Sequence, residues 1–286
     1  MAHAARGKVI LLGDHAVAHG RPALVAALER GVRAQVVPGE PGLHVEGALI
    51  PVDSDLGRAF GALCHAAGRA ARVQVFFDVP VSAGLGSSAA VAVAVARALG
   101  VPEERIFEVA QVSERIFHGA PSGVDVEAAR RGGVGWFTRQ AGWRDVHAQP
   151  FTLCVGLSGR ARSTREMVAR VGALIEREPA RGHALFDAIS ALVERGRAAL
   201  ERGDGAELGR LFEANHAHLG ELGVGAPELD ELCTHACAAG ALGAKLTGAG
   251  GGGAVIAVAP GREAAVLNAW RGAGYDGFLA RIPCTQ

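Results

Sequence analysis

The sequence predicts an α+β chain of two domains. Its 286 residues are enough for two domains of ordinary size, or for one large domain, with a sizeable buried core. Up to about residue 150, short patterns typical of strands alternate with helical stretches. Beyond that point, long helical stretches precede further strands. We therefore place a boundary between a first domain at 1–150 and a second at 151–286, although no flexible linker marks it.

The spacing of apolar residues predicts the individual elements. Apolar side chains at every second residue predict a strand, and apolar side chains three and four apart predict a helix. Strands are predicted at 8–12, 23–28, 34–37, 73–81, 133–137, 151–157, 241–247, 254–259 and near 277–283. Helices are predicted at 56–67, 89–99, 103–117, 164–178, 183–201, 205–221 and 227–239, with a short helix before residue 133 and another after residue 259.

The composition excludes several classes of protein. With 29 Lys and Arg against 29 Asp and Glu, the net charge is zero, and no basic cluster gives the signature of a nucleic-acid or membrane-surface binder. Five scattered cysteines indicate a reducing compartment, the cytoplasm, rather than a disulfide framework or a zinc site. The apolar run before Gly13 is too short for a signal peptide or a membrane span. The expected partner is a small molecule.

Lysine is rare in this chain. Only Lys8 and Lys245 occur among its 29 basic residues, and both lie close to glycines. A compact ammonium group on a flexible stem can act where the planar guanidinium of arginine cannot. Unless the pattern is chance, we expect these two lysines to have specific roles.

A glycine loop in PVSAGLGSSAA joins a predicted strand to the start of a predicted helix. Gly84, Gly86 and Ala89 match the letters of a dinucleotide-binding fingerprint. That fingerprint requires a second strand soon after the helix, with an acid about 20 residues beyond the glycines, and here that distance falls within the helix at 103–117. What remains is a loop suited to bind phosphate through its amides, in which Ser87 and Ser88 either contact phosphate or magnesium or simply cap the helix.

A second glycine cluster at 248–253 lies between two predicted strands. Because a strand rather than a helix follows it, the cluster does not satisfy the dinucleotide pattern. We interpret it as a place where backbone packs closely against other backbone, such as the first loop, with a plain hairpin turn as the alternative.

Two acids in SERIFHGAPSGVDVE are suited to phosphoryl transfer. Glu114 lies near a helix end, and Asp125 lies in a turn rich in Pro, Ser and Gly. Phosphoryl transfer needs a metal ion and a group that orients or deprotonates the accepting hydroxyl, so one carboxylate could serve each need. Each acid alone could equally be a solvated or capping residue. His216 and His218 point apart on a predicted helix, which argues against a zinc site there.

Together these motifs resemble the GHMP kinases, the family named for galactokinase, homoserine kinase, mevalonate kinase and phosphomevalonate kinase. The family's three motifs are similar to GKVILLGDHAVAHGRPAL, PVSAGLGSSAA and KLTGAGGGGAVI, and the mevalonate kinases within the family are indicated by HGAPSGVD. The resemblance runs nearly end to end. It implies the two-domain GHMP kinase fold, with an N-terminal ribosomal-protein-S5-domain-2-like α/β domain that binds ATP and a C-terminal ferredoxin-like α+β domain.

The resemblance also implies an activity and its machinery. The activity is ATP-dependent phosphorylation of (R)-mevalonate to 5-phosphomevalonate in isoprenoid biosynthesis, with Mg²⁺ as cofactor. Asp125 would be the catalytic acid that faces the accepting hydroxyl, and Lys8 would polarise that hydroxyl and lower the pKa of its neighbours. Mg²⁺ would be held by Ser88 and Glu114. Loop atoms that contact ATP would come from Gly84, Leu85, Gly86, Ser87, Ser88 and Ala89.

On the substrate side, the resemblance implies Asp14, His15, Arg162 and Thr164. Arg162 would lie near the mevalonate carboxylate and Thr164 near the catalytic acid. The chain departs from the mevalonate kinase pattern at Asp14, usually Glu, at Ala120, usually Asn, and at Val91, aromatic in animal enzymes.

These departures concern the substrate rather than the reaction. A kinase for another small alcohol, such as phosphomevalonate or homoserine, and a binding protein of this fold without catalysis are the alternatives. The oligomeric state also stays open, with a homodimer as one possibility.

Overall fold

The computed structural model describes residues 2–119, 121–161 and 163–282. Its strands are β1 (His3–Leu12), β2 (Ala23–Val37), β3 (Gly42–Val45), β4 (Ala48–Leu49), β5 (Arg72–Phe77), β6 (Val134–Thr138), β7 (Gly142–Asp145), β8 (Phe151–Leu157), β9 (Gly243–Thr247), β10 (Ala254–Val258) and β11 (Asp276–Ile282). Its helices are α1 (Asp55–Ala67), α2 (Ser87–Ala98), α3 (Glu103–His118), α4 (Val124–Arg131), α5 (Thr164–Arg177), α6 (Pro179–Arg202), α7 (Gly205–Glu221), α8 (Pro227–Ala238) and α9 (Glu263–Gly272), with a short 3-10 helix at Ala16–His19. This mixture confirms the predicted α+β class.

The chain forms two compact units, each built from several stretches. The first comprises the residues up to Lys8 together with 27–81 and 86–132, and the second comprises 9–26, 82–85 and the residues from Gly133 onward. The boundary expected near residue 150 stays a prediction. Across the described ranges, no helix combines the length and the apolar composition needed to cross a membrane.

In the first unit, β5 is the centre of the strand pairing. It pairs antiparallel with the Val32–Val37 part of β2 and parallel with β3, which in turn pairs antiparallel with β4. Helix α2 packs against α1, α3 and α4. Every residue from Ala89 to Ala96 is a buried Ala or Val, and a helix that is apolar on all sides is stable only when covered on all sides. α2 is therefore the central helix of this unit.

The second unit contains an antiparallel sheet in the order β11-β8-β10-β9. β9 and β10 are buried at every position, and the glycine loop at 248–253 connects them. Helices α7 and α8 pack on β9, while α9 packs on β8 and β11. Trp270 of α9 lies fully buried in this core, where its indole N–H donates to the Leu232 carbonyl at 2.8 Å. The Ala23–Ala26 part of β2 also belongs to this unit and pairs with β6.

Most predicted helices and strands are confirmed within a few residues, and two predicted strand ranges were wrong. β2 continues through Glu29 and Arg30, where the sequence predicted a break, because both polar side chains face solvent while the backbone stays extended. β5 ends at Phe77 rather than at residue 81. Pro80 has no backbone N–H to donate to a neighbouring strand, which disfavours strand pairing as far as residue 81. The short strands β3, β4 and β7 were not predicted, since so few residues show no clear period.

Candidate active site

The predicted phosphate loop leads directly into α2. Gly84 and Gly86 have φ angles of 80° and 73°, a backbone conformation that glycine adopts readily. Gly86 immediately precedes α2 and has no side chain that could accept a hydrogen bond from the first amides of the helix. Those amides have no acceptor within the helix and lie at its positive end, so they can bind an anion. Leu85 and Ala89 are fully buried, so their side chains pack into the protein around the start of α2.

Gly86 also makes room for the stem of Lys8. A Cβ atom at position 86 would lie 2.8 Å from the Cγ atom of Lys8 and 3.3 Å from its Cε atom, too close for real side chains. The lysine side chain is only 4% exposed. The glycine therefore provides both a left-handed backbone and a passage for the lysine alongside the start of α2.

We expect Gly86→Ala to reduce activity more than its cost in stability explains. The left-handed backbone should destabilise the fold by about 1–2 kcal/mol, and displacement of Lys8 should lower kcat in addition. The matched control is Gly68→Ala, where φ is 66° and no heavy atom of the described residues lies within 4 Å of the new Cβ. Thermal unfolding and kcat should be measured for both variants. Equal activity in two equally destabilised variants would contradict the role of Gly86.

The ammonium of Lys8 pairs with the carboxylate of Asp125 at 3.3 Å. Asp125 lies in the first turn of α4, directly after a turn at Gly123 with a φ of 92°. A Cβ atom at position 123 would lie 2.8 Å from the Nε2 atom of Gln111 on α3, so glycine allows α4 to begin close to α3. The Asp125 side chain remains 28% exposed. A buried cation therefore fixes a carboxylate that a small molecule can still reach.

Glu114 of α3 is a buried carboxyl group close to the same pair. Only 1% of the residue is exposed, and within the described part of the chain its Oε1 atom has no hydrogen-bond partner. Its Oε2 atom lies 3.7 Å from the Nε2 atom of His118, which in turn lies 3.5 Å from the Ser88 hydroxyl. Burial first, and then the charge of Asp125, raises the pKa of Glu114 to about 8, although Ser88 and Lys8 act in the opposite direction.

The surroundings of Glu114 fit a divalent cation. Mg²⁺ prefers oxygen ligands and usually takes one or two carboxylates, with phosphate and water completing its coordination. A cation at this place would satisfy the unpaired Glu114 oxygen and would favour the ionised carboxylate over the neutral acid. Sequence reasoning predicted Glu114 and Ser88 but missed His118. Its position four residues after Glu114 on one helix was the available signal.

The remaining predicted site residues lie in the second unit or outside the residues that the structure describes. Asp14 is fully buried and His15 is 8% exposed, both in the turn after β1. Thr164 is the half-buried first residue of α5, next to Ser163, whose hydroxyl caps the helix by accepting from the Glu166 amide at 3.2 Å. Arg162 lies outside the described residues, and Ala120 does as well. Val91, the third departure from the mevalonate kinase pattern, is buried within α2 of the first unit.

Comparison with known proteins finds two family models and several relatives that match this chain. The model for the GHMP kinases N terminal domain matches residues 55–133, and the model for the GHMP kinases C terminal matches residues 197–276. Mevalonate kinase of Pyrococcus horikoshii is 35% identical over 97% of this chain and 94% of its own length, and that of Aeropyrum pernix is 36% identical over 88% and 86%. The crystal structure of L. major mevalonate kinase in complex with R-mevalonate is 29% identical, with a TM-score of 0.87 over 100% of this chain and 96% of that one.

Proposed function

Since this chain belongs to the GHMP kinase family, we propose that it transfers the γ-phosphoryl group of ATP to the 5-hydroxyl of (R)-mevalonate. The products are ADP and 5-phosphomevalonate. The observation that carries the proposal is the pairing of Lys8 with Asp125 beside the uncapped start of α2, in a chain that is similar to mevalonate kinases along nearly its whole length.

Asp125 and Lys8 act on the accepting hydroxyl. Asp125 accepts its proton as the oxygen attacks the γ-phosphorus, while the bond from that phosphorus to the bridging oxygen of ADP breaks and ADP leaves with the electron pair. Lys8 holds Asp125 in place at 3.3 Å and offers positive charge to the attacking oxygen. The protein thus positions two groups and stabilises charge, which is most of what phosphoryl transfer requires.

The start of α2 binds the phosphates of ATP. The amides from Gly86 to Ala89 lie at the positive end of a helix, and Gly84 and Gly86 keep the preceding loop free of side chains that would block an approaching phosphate. Ser87 and Ser88 add hydroxyl groups at this end, and both residues are partly exposed.

Mg²⁺ would be held by Glu114 and Ser88. When bound, it neutralises phosphate charge and orients the γ-phosphoryl group for transfer. Among the described residues the Oε1 atom of Glu114 has no hydrogen-bond partner, and such an ion would satisfy it.

We expect Glu114→Gln to raise the Mg²⁺ concentration needed for half-maximal activity by about 10-fold to 100-fold, the scale seen even for residues that only orient metal ligands. The glutamine matches the shape of the neutral acid that burial favours, so the fold should persist. Steady-state rates across a Mg²⁺ titration test this. Glu108→Gln, on the exposed face of the same helix, is the control. An unchanged Mg²⁺ requirement in the Glu114 variant would remove it from the metal site.

The substrate side rests on the family resemblance. Arg162 would bind the mevalonate carboxylate through its planar guanidinium, and Thr164 would lie near the catalytic acid. The substrate contact implied for His15 stays a prediction, as do a cytoplasmic location and a homodimer.

A coupled assay of ADP release over a panel of alcohols tests the proposed substrate. We expect the highest kcat/KM with (R)-mevalonate, and lower values with phosphomevalonate and homoserine. A higher value with another alcohol would reassign the substrate within the family. ATP binding without ADP release from any alcohol would instead indicate a binding protein of this fold.

A further inference from the structure

The second lysine of the chain forms a fully buried ion pair. The Nζ atom of Lys245 on β9 lies 2.7 Å from the Oδ2 atom of Asp14, and both side chains are 0% exposed. Lys245 also donates to the Ile10 carbonyl of β1 at 3.2 Å. Removing only one member of such a buried ion pair destabilises the fold, because the remaining charge has no water to solvate it.

The same aspartate also holds the glycine loop at 248–253. Its Oδ1 atom accepts a hydrogen bond from the Gly248 amide at 2.6 Å, so each carboxylate oxygen has a partner on the β9 side. The neighbouring His15 places its Nε2 atom 2.9 Å from the Ala249 carbonyl. His15 has a φ of 58°, an unusual conformation for a residue other than glycine. Such a conformation persists only where surrounding contacts hold it, and the contact with Ala249 is one of these.

Backbone contacts hold the far side of the loop. The Gly251 amide donates to the Val224 carbonyl at 2.8 Å. A Cβ atom at Gly250 would lie 2.1 Å from that same carbonyl oxygen. Backbone on one side and the turn at 13–16 on the other therefore leave the loop little freedom.

We propose that Asp14 and Lys245 are positioning residues that fix the glycine loop at 248–253, and that Asp14 acts through the Gly248 amide rather than by contacting substrate. Full burial and two occupied carboxylate oxygens leave Asp14 no atom to offer a small molecule. Lysine suits this role because its compact ammonium can meet both a carboxylate and a strand carbonyl in a space closed to water. The kinetic consequence rests on the proposed function, while the effect on the loop does not.

Two double variants separate the ion pair from the hydrogen bond to the loop. Asp14→Asn with Lys245→Met removes both charges but keeps an oxygen that can accept from the Gly248 amide. Asp14→Leu with Lys245→Met also removes both charges, and leucine has the same branching as aspartate but no acceptor. Each single variant, Asp14→Asn or Lys245→Met, should be less stable to heat than the Asn and Met double variant, because it leaves one buried partner unmatched.

Hydrogen–deuterium exchange across residues 247–253 is the deciding readout. We expect exchange in the Leu and Met variant to be about tenfold or more faster than in the Asn and Met variant, from loss of a hydrogen bond to the loop. We expect kcat/KM with mevalonate to be lower in the Leu and Met variant than in the Asn and Met variant. Equal exchange in the two double variants would overturn the proposal. If the wild-type protein proves inactive with mevalonate, the proposed function fails, but the exchange comparison still decides this inference.

Discussion

Replacement of Asp125 by asparagine should lower kcat by about 10²-fold to 10⁴-fold, the range that a positioned acid or base contributes. Asparagine keeps the shape of the side chain and can still accept a hydrogen bond from Lys8, but it cannot take the hydroxyl proton. Because the Asp125 side chain is 28% exposed rather than fully buried, the substitution should cost the fold little stability. The loss should therefore appear in kcat, measured by coupled ADP release, with the thermal unfolding midpoint near that of the wild-type protein.

The control for this variant is Asp78→Asn. Asp78 belongs to the same unit and forms an exposed ion pair with Arg33 at 3.0 Å, so its loss should change neither kcat nor stability by much. If Asp125→Asn retained the rate of this control, Asp125 would not be the group that takes the proton.

Replacement of Lys8 by methionine should lower kcat by about 10²-fold to 10³-fold, the loss typical of removing one group that stabilises transition-state charge. Methionine is unbranched and flexible, so it can follow the buried path of the lysine stem past Gly86. Asp125 would lose its cation but would remain partly hydrated. Steady-state kinetics and circular dichroism of the two proteins together test this expectation.

Lys8→Arg sharpens the test because it keeps the positive charge. The space beside Gly86 is narrow, and a planar guanidinium would not place its charge where the ammonium lies. We therefore expect this variant to be impaired as well. Full activity in Lys8→Arg would mean that charge alone is required, and full activity in Lys8→Met would mean that Lys8 has no part in transfer.

The elements of the fold were largely predictable because burial leaves a periodic trace in the sequence. The helices α7 and α8 and the strand β8 follow from apolar spacing and from glycine or proline at their ends. The polar pair at Glu29 and Arg30 misled the prediction for β2, because two consecutive exposed polar residues within a continuous strand have the same letters as a turn. The interleaving of chain stretches in the two compact units depends on contacts far apart in sequence, which local patterns do not record.

The candidate site was predictable in its residue types but not in its pairings. The scarcity of lysine singled out Lys8 and Lys245, and both are buried in ion pairs. Their partners could not be derived from spacing, since Lys245 and Asp14 are 231 residues apart in the chain. The resemblance placed Asp14 on the substrate side, whereas the buried contacts of Asp14 support the positioning role proposed above.

The central claim is that this chain phosphorylates the primary hydroxyl of mevalonate. Phosphorus NMR of a reaction containing the protein, ATP, Mg²⁺ and (R)-mevalonate tests it most directly, because mevalonate carries both a primary hydroxyl on C5 and a tertiary hydroxyl on C3. We predict a new phosphomonoester signal coupled to the two protons on C5, formed in step with ADP. Formation of inorganic phosphate alone, or of a phosphomonoester without coupling to carbon-bound protons, would contradict the claim.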